Sequence, residues 1–64
     1  MTDEEAADYL VALRQQGRKV LAEQPQPNVY TVDVSCGAKQ QWHGVGRSLG
    51  EAVAQVKAMM EGAK

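Results

Sequence analysis

Sixty-four residues with a formal charge of −1 make one small domain near the lower size limit for independent folding, with no overall pull toward nucleic acid or an anionic membrane. The apolar share is 44%, phenylalanine is absent and the aromatics are Trp42, Tyr9 and Tyr30, so the core must be thin and built from Val, Leu, Ala and Met. A lone cysteine, Cys36, excludes an internal disulfide and points to a reducing, cytoplasmic setting; with a lone histidine it cannot complete the ligand set of a structural zinc site.

No apolar run approaches the ~20 residues that span a bilayer, and the acidic start "MTDEEAADYL" reads as neither a signal nor a transit peptide. A soluble chain without a membrane partner is expected.

The first predicted element is a helix. Thr2 and Glu5 have the spacing of a capping box, in which each side chain satisfies an orphan backbone N–H of the first turn. Asp3, Glu4 and Glu5 also set negative charge at the positive end of the helix dipole. Ala6, Leu10, Leu13, Gly17 and Leu21 fall on one stripe, with Arg14, Arg18 and Lys19 toward the C-terminal end. Gly17 costs about 1 kcal/mol against alanine inside a helix, which leaves two readings. The helix stops there and "KVLAEQ" forms a short strand, or the good helix formers of "RKVLAE" carry the helix to about Glu23. The second is preferred.

"QPQPN" breaks the pattern, because each proline removes a donor and turns the preceding residue away from helical geometry. "VYTVDVSC" then alternates, with Tyr30, Val32, Val34 and Cys36 on one side and Thr31, Asp33 and Ser35 on the other. "GAK" turns the chain and "QQWHGVG" returns it as a second strand. Register decides the rest, since a slip of one residue exchanges the two faces. A three-residue loop at 37–39 pairs Val34 with Trp42 and Val32 with Gly44, and faces Asp33 toward His43. Burying tryptophan while exposing histidine costs far less than the reverse, so this register is expected.

The last element is a helix opened by Ser48, with Glu51 completing a second capping box. Leu49, Val53, Val56, Met60 and Ala63 form its apolar stripe, widened by Ala52 and Met59. The expected fold is α+β, a helix–β-hairpin–helix (α-β-β-α) with both helices on one face of an antiparallel sheet. The alternative adds a strand near 18–23 to give α-β-β-β-α.

"YTVDVSCGAKQQWHGVGRSLGEAVAQVKAMM" resembles the C-terminal half of a double-stranded-RNA-binding domain. Gly44, Gly46, Ser48 and Ala52 match that family's strand-to-helix junction, and "EEAADYLVALRQQG" occupies the place of its first helix. The resemblance implies the α-β-β-β-α fold. It does not carry RNA binding across, because the places of the family's phosphate-contacting lysines hold Leu49, Gly50 and Val53. Truncated relatives of that shape, such as antitoxins, bind proteins or self-associate, and they fit the chain equally well.

Several groups are candidate sites. Gly44, Gly46, Arg47 and Ser48 have the makings of an anion site at a helix N-terminus, although the plainer reading is a corner where glycines permit close packing. Neither a dinucleotide fingerprint nor a P-loop is present. Cys36 and His43 are expected on opposite faces, the thiol buried and inert, and Asp33 with His43 as a surface cross-strand pair worth no more than about 1 kcal/mol. Arg14, Arg18, Lys19, Arg47 and Lys57 are candidates for a basic patch if the helix ends converge, and otherwise form a solvated face. Trp42, His43, Met59 and Met60 are candidates for protein contact, methionine being an adaptable surface residue.

No set of acid, base, nucleophile and oxyanion donors can be assembled, so no enzyme and no cofactor is expected. The leading expectation is a small binding module that contacts another protein, of the kind common among viral or mobile-element accessory factors and antitoxin-like regulators. A homodimer through a hairpin edge is part of it. The second expectation is nucleic-acid binding through the 44–48 junction and the basic helix ends.

Overall fold

The computed structural model describes residues 1–37 and 39–62. In chain order it holds helix α1 (Asp3–Gln15), strands β1 (Lys19–Gln26), β2 (Val29–Cys36) and β3 (Gln40–Gly46), and helix α2 (Leu49–Gly62). The strands form an antiparallel sheet in the order β1-β2-β3. The architecture is therefore the α-β-β-β-α alternative, and the α-β-β-α count is one strand short.

The miscount lies at Gly17. α1 opens as expected, with Thr2 Oγ1 accepting from Glu5 N–H and Glu5 Oε1 accepting from Thr2 N–H, both at 3.1 Å. It then stops early, because Gly17 adopts φ +86°, a left-handed value that glycine tolerates and a helix interior does not. Arg18 N–H donates to the Leu13 carbonyl at 3.2 Å and Gly17 N–H to the Arg14 carbonyl at 3.0 Å, the paired bonds that close a helix C-terminus. Lys19 to Glu23 favour helix by local propensity, but pairing with β2 prevails, Val20 opposite Val34 and Ala22 opposite Val32. Gly17 therefore lies outside the apolar stripe, and Leu21 is 54% exposed.

The hairpin register is the one expected. Val34 pairs with Trp42, Val32 with Gly44, Asp33 with His43, and Cys36 with Gln40 across the 37–39 turn, whose Ala38 lies outside the described residues. β2 is the central strand and offers no free edge, which rules out dimerisation through that half of the hairpin.

Both helices pack on one face of the sheet. The buried core is Ala6, Leu10 and Leu13 from α1, Val32 and Val34 from β2, and Ala52, Val53 and Val56 from α2. Around it lie Tyr9, Val20, Tyr30, Trp42, Leu49 and Met60, half-buried. Ala63, assigned to the stripe of α2, is outside the described residues. α2 lies close over β3 because Gly44 and Gly46 have no side chains: a Cβ on Gly44 would strike the Ala52 carbonyl oxygen and come within 2.7 Å of Val56 Cγ2. One on Gly46 would approach Ala52 N to 2.7 Å. Among the described residues, no helix is long and apolar enough to cross a membrane.

Candidate functional site

At the junction that opens α2, the backbone N–H groups of Arg47, Gly50 and Glu51 are each taken by a side chain of the chain itself. Ser48 Oγ accepts from Glu51 N–H at 3.2 Å, as a helix cap should. Glu51 does not return the bond to Ser48; its Oε2 accepts from Arg47 N–H at 2.7 Å, one residue earlier. Gly50 N–H donates to Asp3 Oδ1 at 3.0 Å, a carboxylate delivered from the start of α1. Ala52 N–H already closes onto the Ser48 carbonyl at 3.1 Å. The N-terminus of α2 thus attracts negative charge as its dipole requires, and the chain's own Asp3 and Glu51 supply it.

Arg47 instead lines an open groove of about 960 Å³ with Asn28, Val29, Val45, Glu51 and Gln55. Gln55 Oε1 accepts from Val45 N–H at 3.1 Å, so a helix side chain occupies part of the free edge of β3. This bond also fixes the parity of the sheet. Val45 points its N–H away from β2, hence Thr31–Val45 is a non-hydrogen-bonded pair. By the two-residue period, Asp33–His43 is another, the class in which opposed side chains come closest. His43 Nδ1 lies 2.5 Å from Asp33 Oδ1, with the side chains 55% and 33% exposed.

Chemistry-bearing side chains are therefore dispersed. His43 faces the outer, helix-free surface, while Trp42 packs against the core. Cys36 belongs to the helix-covered side by alternation, yet it is exposed, which corrects the expectation of a buried thiol. It sits in the last ladder pair beside the turn, beyond the buried row of Val34. Among the described residues, no three His, Cys, Asp or Glu side chains converge as a metal site would require. Met60 Sδ receives the Tyr9 hydroxyl at 4.0 Å and belongs to the core margin, whereas Met59 is exposed.

The basic residues do not form one patch. Arg14, Arg18 and Lys19 line a groove of about 640 Å³ with Val20, Leu21, Asp33, Ser35 and Gln41, at the end of the sheet near the 37–39 turn. Arg47 follows the far end of β3, and the ladder from Gln41 to Gly46 separates the two places by about 17 Å. Lys57 lies 5.8 Å from the centre of the Tyr9 ring and 4.0 Å from Glu61 Oε1, a position on the helix surface.

β1 is the strand near 18–23 that the sequence offered only as the alternative to a longer first helix. Seven of its eight residues are exposed, so it bounds the sheet with almost no cover on either face. Since Thr31, Asp33 and Ser35 direct their backbone groups toward β1, their partners Glu23, Leu21 and Lys19 complete the ladder. Val20 and Ala22 then turn their N–H and C=O groups outward. The sequence signal was Pro25, which bars a central strand and suits an edge. No protein-family model, curated protein or solved structure matches the chain.

Proposed function

We propose that the chain is a small non-enzymatic binding module that acts by contact with another protein. The observation that carries this reading is β1, an exposed strand at the border of a sheet with free backbone donors and acceptors. Such an edge pairs readily with an added strand. The adjoining outer face supports it, for Leu21 and Val45 are 54% and 41% exposed on a surface with no helix over it. Cys36 lies on the opposite side of the sheet from the His43–Asp33 pair, so that face holds no nucleophile beside its base and is suited to recognition and not to bond-breaking.

The test is a photo-crosslinking residue placed at Leu21 and, separately, at Met59 in cells of the source organism. Protein adducts from position 21, resistant to nuclease and absent at position 59, are the expected result. Adducts at position 21 that consist only of nucleic acid would overturn the reading in favour of the second expectation.

A further inference from the structure

Resting on that reading, we infer that residues 19–22 of β1 dock an extended acidic segment of the partner, which joins the sheet beyond β1 with its carboxylates on Arg14, Arg18 and Lys19.

The two halves of β1 differ. Its second half is closed to pairing: the ladder is irregular between Glu23 and Gln26, Pro25 carries no N–H, and the Gln24 side chain folds back to the Pro27 carbonyl at 2.9 Å. The first half is a regular ladder, with Val20 and Ala22 presenting backbone groups to solvent. Arg14, Arg18 and Lys19 line the groove beside that open half. Among the described residues, none of the three has a carboxylate within ion-pair distance. The groove's own carboxylate, Asp33, is engaged by His43. A second groove shares Lys19 and Ser35 and continues toward Gly17 and Gly37, so the channel extends past the end of the helix.

Charge selects the occupant. A phosphate backbone would meet the exposed Leu21, and it has no use for donors and acceptors alternating at strand spacing. An extended peptide uses both kinds of backbone group, and acidic side chains on it complement the three cations.

The experiment follows backbone amide signals while the folded chain is titrated with an end-blocked peptide alternating threonine and glutamate. Its threonine–lysine counterpart serves as control. The expected result is shifts centred on residues 18–22, saturable binding that weakens as salt is added, and no response to the lysine peptide. The double variant R18Q/K19Q, which keeps polar side chains at the half-buried Arg18 and the exposed Lys19, should lower affinity about fivefold or more. A22P, which removes an N–H already facing solvent, should abolish the response. Retained amide dispersion in either variant shows that the fold is kept. Shifts centred on α2 or β3, equal binding of the lysine peptide, indifference to R18Q/K19Q, or tighter binding of duplex RNA at these residues would each overturn the inference. So would self-association through residues 19–22 on concentration. A peptide series without response, beside nuclease-resistant protein adducts at position 21, would overturn the acidic class while leaving the protein-contact reading intact.

Discussion

Asp3 caps a helix to which it does not belong: its Oδ1 accepts from Gly50 N–H at 3.0 Å, joining the first turns of α1 and α2 across 47 residues of chain. The same carboxylate sits in the first turn of α1, so one charge serves two helix dipoles. Replacing it with alanine is expected to cost about 1–2 kcal/mol in urea unfolding. Asp3→Asn keeps an acceptor oxygen and should retain a large part of that difference. An Asp3→Ala chain as stable as the parent would show that the bond contributes nothing.

Gly44 and Gly37 should respond to alanine by different routes. At Gly44 the added methyl meets the Ala52 backbone and Val56, and displacing α2 from β3 is expected to cost about 2–3 kcal/mol. At Gly37 nothing lies within 4 Å, but φ is +68°, so the cost is the backbone penalty of about 1–2 kcal/mol. Unfolding midpoints of the two variants, measured side by side, check the order.

Trp42 and His43 are neighbours with opposite surroundings. Trp42→Ala is expected to destabilise by about 2–3 kcal/mol, the usual core loss discounted for its half-buried position. His43→Ala removes only an exposed pair with Asp33 and should cost less than about 1 kcal/mol. A larger cost for His43→Ala than for Trp42→Ala would mean that the two faces have been exchanged.

Much of this arrangement is legible in the residues. Alternation in "VYTVDVSC", together with the need to bury Trp42 and expose His43, is enough to set the hairpin register, and Thr2, Glu5 and Ser48 mark where the helices start. β1 is harder to read because burial writes the period-two signal, and only Val20 among its residues is half-buried. Its first residues are good helix formers, and Gly17 was the opposing evidence. Cys36 follows the alternation but lies at the rim, where parity no longer implies cover. The bonds from Asp3 to Gly50 and from Gln55 to Val45 leave no local trace, for they join positions 47 and 10 residues apart.

The capping box makes stability depend on acid. Backbone and side-chain hydrogen bonds from Thr2 hold the Glu5 carboxyl below its ordinary value of 4.5. A carboxylate depressed on folding stabilises the native state above its unfolded pKa, and the gain is lost as pH falls through the lower folded value. Stability should therefore decline below about pH 4.5, and Glu5→Gln should flatten that decline while leaving the other carboxylates to titrate. Thr2→Ala, which removes the side-chain partner, should weaken the same limb. Identical acid limbs in parent and Glu5→Gln would contradict this.

Amide hydrogen exchange along β1 in the free chain at low concentration tests the open edge most directly. Leu21 and Glu23, bonded into the ladder with β2, should exchange slowly, while Val20 and Ala22 exchange at nearly the rate of an unstructured peptide. Uniform protection from Lys19 to Glu23 would mean that the edge is already occupied or that the segment is helical, and the proposed docking strand would have no place to pair.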